Sequence, residues 1–216
     1  MRSELFFHSC LTEDQRQIAD RSLQSLSFVK GQGIHRHGDA CVGIILIQSG
    51  SLRFSVISEE GREVTLFRAD DGEQCVLSAA CVLQGIDLES HVTAEATSRV
   101  QILPASVLAQ LMNENKDVER LVFRRAAAQY SKALQTMERI VFFSLEKRLA
   151  LFLKEETVRQ RSPFFHTTHE QIARCIGSSR EVVTRMLNQF ADRGIVSLGR
   201  GTVRVTDPAS LQDVLD

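Results

Sequence analysis

The sequence predicts an α+β chain in three successive parts, on three observations. Short β-rich runs punctuated by glycine fill residues 26 to 104. A stretch free of glycine and proline follows from 105 to 143. Two short helical periods around a glycine come next, with a β-hairpin behind them. The 216 residues are 43% hydrophobic and 25% charged, the composition of a globular protein able to bury a sizeable core. No run approaches the roughly 18 to 20 apolar residues of a membrane span, and the N-terminus lacks an apolar run of signal-peptide length. A cytoplasmic protein with no membrane contact is therefore expected. Cys10, Cys41, Cys75, Cys81 and Cys175 are scattered without a CxxC, which argues against a disulfide framework or a structural zinc site.

Each element has a local cause. Thr12 followed by Gln15 reads as a capping box that opens a helix running to about Leu23. Beyond it, Val42–Gln48, Leu52–Ser58, Val64–Arg68, His91–Ala96 and Arg99–Leu103 are short strand-like runs, as in a sandwich, barrel or roll. In the turn SEEGRE, Gly61 is free to take a positive φ. Residues 106 to 143 read as one long helix. On it Phe123, Ala127, Tyr130, Leu134, Met137 and Val141 step by four and three, the spacing of a coiled-coil seam. A second apolar line, Val122, Ala126, Ala133, Ile140 and Phe143, runs beside it, broken by Gln129 and Thr136. One wide core face would account for both lines. So would a helix that packs on its own β-rich part and on the same helix of a second copy, and a parallel homodimer is the reading adopted. Ser144 caps a further helix, Leu145–Glu156, with Glu146 in the first turn where the helix dipole favours an acid. The parts expected are thus 1–105, 106–143 and 144–216, with VRQRSPFF as a plain connection.

The segment from Thr167 to Ile195 carries the most information. Thr168 caps a first helix, whose Ile172 and Ile176 form an apolar face and whose Ala173 is small where a second helix must cross. Gly177 supplies the turn, Ser178 or Ser179 caps the second helix, and Val183, Met186, Leu187 and Phe190 form its inner stripe. Helix starts, turn and stripe agree in register, which is the pattern of a helix-turn-helix. Arg180, Glu181, Thr184 and Arg185 occupy the other side of the second helix. Arginine there can donate twice to guanine, and glutamate can accept from cytosine. A merely solvated Glu181 and Arg185 pair would leave the rest of the motif unexplained. In IVSLGRGTVRV two strands meet at Gly199-Arg200-Gly201, a wing with Arg200 placed for a phosphate. The net charge is −1, yet His166 to Val205 holds six arginines against three acids, a local surplus of positive charge suited to double-stranded DNA.

The order of parts and the run THEQIARCIGSSREVVTRML resemble the CRP/FNR family over essentially the whole chain. The resemblance implies a double-stranded β-helix of jelly-roll, cupin-like form as the sensor, a dimerisation helix and a winged helix-turn-helix. It implies base contacts by Arg180, Glu181 and Arg185, phosphate contacts by Thr168, His169 and Ser179, a TGTGA-like half-site, and RNA polymerase as a partner. The pairing of Arg180 with Glu181 and Arg185 is nearer to the cyclic-AMP receptor than to the oxygen regulator.

The sensor part departs from that pattern. Cyclic-nucleotide receptors carry Gly-Glu-Leu followed by Arg-Ser or Arg-Thr. Here Gly72-Glu73 comes too early, the arginine is missing, and Arg99 lies in a later strand. Positions expected to meet the base are Ala133 and Leu134. Burying a phosphate without its arginine is costly, so cyclic AMP is not expected. Cys10 alone near the N-terminus argues against an iron–sulfur cluster, and nothing positive supports haem. His35, His37, Asp39 and Cys41 are ligand types, but Gly38 breaks their strand. Cys75, Cys81 and Tyr130 are the candidates for an effector or redox site, against the plainer reading of both cysteines as small buried apolar side chains. A DNA-binding regulator gated by an unidentified effector or redox signal sensed in the β-rich part, and not an enzyme, is the function expected. The competing classes are a cupin-like metal enzyme with a DNA-binding tail, and a constitutive DNA-binding protein.

Overall fold

The computed structural model describes residues 4–35, 42–61, 63–76 and 91–216. Its internal contacts gather into two units, one holding the chain up to Ile57 with Leu66–Gln135, the other Ser58–Thr65 with Thr136–Asp216.

In the first unit a 3-10 turn (His8–Cys10) leads into α1 (Glu13–Ser22). There follow β1 (Gln24–Phe28), β2 (Gly33–His35), β3 (Ile44–Ser49), β4 (Ser51–Ile57), β5 (Glu63–Asp70, in this unit from Leu66 on), β6 (Gln74–Cys75), β7 (His91–Ala94) and β8 (Ser98–Leu103). The Thr12–Gln15 capping box is formed in both directions. Two four-stranded sheets, β1-β8-β3-β6 and β2-β7-β4-β5, make a jelly-roll-like pair with antiparallel neighbours. Ile44, Ile45, Leu46 and Ile47 of β3 are all buried, so this strand is covered on both faces rather than alternating. The same core takes in Leu5, Phe7, Leu11, Leu108 and Leu111, which lie outside the sheets.

The long helix read from 106 to 143 is two helices, α2 (Ala105–Glu114) and α3 (Lys116–Phe142). The break has a polar cause. Asn115 is extended, and its side-chain oxygen accepts from the amides of Asp117 and Val118 as a cap for α3. Its amide nitrogen donates to the Cys10 carbonyl and to Gln15 Oε1, which ties the break to α1.

The second unit holds α4 (Leu145–Gln160), β9 (Phe164–His166), α5 (His169–Ile176), α6 (Arg180–Asp192), β10 (Val196–Gly199), β11 (Thr202–Val205) and α7 (Pro208–Asp213). Ser144 caps α4 by accepting from Lys147 N, and the helix runs four residues beyond the expected Glu156, ending at a left-handed Arg161 before Pro163. The supposed connection VRQRSPFF is partly structured. Its phenylalanines open β9, which pairs with β11 and buries Phe165, so the wing sheet has three strands in the order β10-β11-β9. Ala173 is buried between Ile172 and Ile176, and Val183, Leu187 and Phe190 of α6 join the same core, with Met186 half-buried beside them.

Candidate nucleic-acid interface

Capping fixes the geometry of α5 and α6. Thr168 Oγ1 accepts from Gln171 N at 3.1 Å and Gln171 Oε1 accepts from Thr168 N at 2.8 Å, a closed capping box. The Thr168 hydroxyl proton is left for an outside acceptor. Gly177 ends α5 with φ 64°, and a Cβ there would meet Ile140 Cδ1 at 3.2 Å, so both conformation and space call for glycine. Arg148 of α4 donates to the Ile176 carbonyl at 2.6 Å and satisfies the end of α5. Ser179 accepts from Val182 N and starts α6.

Arg180, Glu181 and Arg185 project from the first turns of α6 into solvent, opposite its buried stripe. Glu181 is held below the ordinary glutamate range by its own backbone amide, then by the Ser179 hydroxyl, then by the charge of Arg180. It stands as a charged acceptor at neutral pH. Thr184 behaves differently from its three neighbours. It is half-buried, its hydroxyl donates to the Arg180 carbonyl at 2.8 Å, and His169 Nδ1 lies 2.8 Å from the Thr184 hydroxyl oxygen. The reason is its methyl-bearing, short side chain, which turns back on its own helix where arginine reaches outward. His169, Thr168, Glu170, Arg180, Gly199, Gly201 and Thr202 line one cleft of about 500 Å³ between the two helices' first turns and the wing. Arg200 is exposed at the wing tip. Every residue expected at DNA lies on this unit, and those in the cleft can offer hydroxyl, imidazole and guanidinium donors to phosphate.

The helix α3 bears two lines one residue apart, hence about 100° apart around its axis. Val118, Val122, Ala126, Gln129 and Ala133 are buried. Phe123, Tyr130, Leu134, Met137 and Val141 are exposed, Leu134 by 52% and Val141 by 68%, and Ala127 lies among them. Gln129, which the sequence pattern presents as a break in an apolar line, is a core residue. Its Nε2 donates to the Gln74 carbonyl at 2.8 Å, and its Oε1 accepts from Val76 N at 3.0 Å, with Cys75 Sγ 3.7 Å away. Cys75 is thus fully buried against Gln129, whereas Tyr130 stands on the exposed line; the two are not brought together, because adjacent helical residues face different sides. Cys81, and His37, Asp39 and Cys41 of the metal-type run, lie outside the described residues. The notch beside Gln129, lined by Arg68, Glu73, Arg125 and Lys132, is about 150 Å³, smaller than the roughly 300 Å³ and more of usual ligand pockets. No helix among the described residues is long and apolar enough to cross a membrane.

Comparison with known proteins bears on both units. A Crp-like helix-turn-helix domain model matches residues 147–214, and a cyclic nucleotide-binding domain model matches residues 25–115. A solved structure of a transcriptional regulator assigned to the CRP/FNR family, from Eubacterium rectale, is 34% identical with a TM-score of 0.92, over 98% of both chains. The Cyclic AMP receptor protein of Thermus thermophilus is 27% identical over 99% of this chain and 98% of its own length. The Transcriptional activator protein anr of Pseudomonas aeruginosa is 24% identical over 94% of this chain and 85% of its own. These relatives regulate transcription, and the enzyme class expected as the competitor is not among them.

Proposed function

Because the chain belongs to the CRP/FNR family of DNA-binding transcriptional regulators, we propose that it acts as a homodimer on an inverted repeat with TGTGA-like half-sites. In this reading Arg180 and Arg185 select guanines and Glu181 selects a cytosine, while Thr168, His169, Ser179 and Arg200 hold phosphates. The observation that carries it is the exposed trio of Arg180, Glu181 and Arg185 on the side of α6 opposite a fully buried stripe. The dimer reading is supported by the exposed apolar seam of α3, since an apolar line of this length is a liability unless a partner covers it. Two recognition helices related by a two-fold axis would then meet half-sites about one helical turn apart.

The β-roll gates this binding in response to an effector other than cyclic AMP. Between Gly72 and Pro104 the one arginine is Arg99, exposed on β8 and bonded to Ser49 Oγ at 3.2 Å, and buried Ala133 offers no polar group to a base. Gating acts where β6 meets α3, because Gln129 there couples the sheet to the helix that carries the dimer seam. A thiol sensor needs an accessible sulfur, which buried Cys75 lacks. RNA polymerase is the further partner, and the cytoplasm, where promoters are accessible, is the site of action. Selection of binding sites from random DNA tests the reading. Recovery of an inverted repeat spaced by one turn is expected; sites without two-fold symmetry would overturn it.

A further inference from the structure

We propose that Glu63, in the turn between β4 and β5, restrains DNA binding by drawing Arg174 away from Glu170, the one acid that lines the cleft among the described residues. The inference rests on the reading of this cleft as a phosphate-binding one and adds a negative determinant to it.

One guanidinium nitrogen carries the inference. Arg174 Nε lies 3.4 Å from Glu170 Oε1, one turn earlier on α5, and 3.5 Å from Glu63 Oε2. That nitrogen bears a single hydrogen, so a full bond to one carboxylate weakens the other. The two acids stand in different surroundings. Glu170 is 52% exposed, and water screens its attraction for the arginine; Glu63 is 16% exposed and is screened far less. At nearly equal distance the pull of Glu63 is therefore the stronger. A second contact holds the turn on α5, since Thr65 is buried and its Oγ1 lies 3.9 Å from the Sγ of Cys175, the residue next to Arg174. Glu63 is thus kept where it can compete.

The competition at Arg174 is felt in the cleft. Thr168 and Arg180 line it beside Glu170 and offer donors to phosphate, whereas a carboxylate repels phosphate unless a cation neutralises it. The dipole of α5 favours an acid in its first turn, so Glu170 is stable there without Arg174. What Arg174 changes is the charge that DNA meets. With Glu63 engaged, Glu170 is only partly neutralised and the cleft binds phosphate less well. With Glu63 withdrawn, Arg174 turns fully to Glu170 and the cleft binds phosphate better. The segment Ser58–Thr65 continues at its ends into β4 and the remainder of β5, so a signal that shifts either strand also moves Glu63. The acid makes this turn a brake on the DNA-binding face, and Arg174 is the positioning residue through which it acts.

The test is duplex binding by the full chain at low salt, followed by fluorescence anisotropy, where phosphate contacts suffice for association. Glu63→Gln and Glu63→Ala should each bind about threefold more tightly than the wild type, the scale of one partly exposed ion pair. Damage to the fold would weaken binding, so a gain reports the brake itself. Glu170→Gln should also bind more tightly, and Glu63→Gln should add nothing to it. Arg174→Gln should bind about threefold more weakly, and Glu63→Gln should add nothing there either. Replacing the exposed Glu59 by Gln removes the same charge from the same turn and should leave Kd unchanged. No gain with either Glu63 variant, an equal gain with Glu59→Gln, or a gain that survives Arg174→Gln overturns the brake while leaving the DNA reading in place. Failure of the wild type to bind duplex overturns both.

Discussion

The helices α3 and α6 are built alike and used differently. Each buries one stripe, Val118, Val122, Ala126, Gln129 and Ala133 in the first and Val183, Leu187 and Phe190 in the second. Each exposes another line. That of α3 is apolar, with Phe123, Tyr130, Leu134, Met137 and Val141; that of α6 is charged, with Arg180, Glu181 and Arg185. An exposed apolar seam loses free energy to water until a similar surface covers it, whereas an exposed charged line is stable alone and gains on meeting a polyanion. The surface each helix leaves open therefore suits a different kind of partner, and the proposed ones are a second copy for α3 and DNA for α6.

The comparison is easiest to break on the seam. Leu134→Glu with Met137→Glu places like charges across the proposed interface and should leave a monomer in analytical ultracentrifugation. Affinity for an inverted repeat should fall by about a hundredfold or more, since the second half-site no longer binds intramolecularly. An unchanged dimer would show that the seam lies elsewhere. The buried stripe of α6 comes next in size. Leu187→Ala should cost about 2–5 kcal/mol of stability in the winged-helix unit, read by chemical denaturation.

Changes on the charged line should be smaller and should spare the fold. Arg185→Ala should cost about 1–3 kcal/mol on the preferred site and relax the choice at one base pair, with the melting temperature unchanged. Loss of affinity on all sequences alike would reassign Arg185 to phosphate. Arg200→Ala should do what Arg185→Ala should not, weakening all sites together and lowering the salt slope by about one unit. Least of all should happen at Glu181 on mild acidification. Its own amide, the Ser179 hydroxyl and Arg180 hold the carboxylate ionised below the ordinary glutamate range. The proposed cytosine preference should be present at neutral pH and be lost only as pH falls through that depressed range. Competition binding with the cytosine changed should give one discrimination ratio from about pH 8 to about pH 5.

What the sequence determined by itself is the part of the molecule governed by neighbours along the chain. The Thr12 and Thr168 capping boxes, the Ser144 and Ser179 caps, the left-handed Gly177 and the inner stripe of α6 each depend on residues within about one or two helical turns. The wing hairpin and the four-and-three spacing of the exposed apolar line on α3 are legible for the same reason. Tertiary structure alone decided the rest, because its partners are distant in sequence and no local period announces them. Asn115 splits the expected long helix by bonding to Cys10, 105 residues earlier. Gln129 becomes a core residue by bonding across 53 to 55 residues to the strand at Gln74 and Val76, which turns an apparent interruption of an apolar line into the pin between sheet and helix. Phe165 joins the core because β9 finds β11, some 38 residues on. The Thr184 hydroxyl, turned back to the Arg180 carbonyl on its own helix, is also met by His169, 15 residues away on the other helix. A buried polar group must find a partner wherever one lies, and which partner lies within reach is fixed by the packing of the whole unit rather than by the spacing of the chain.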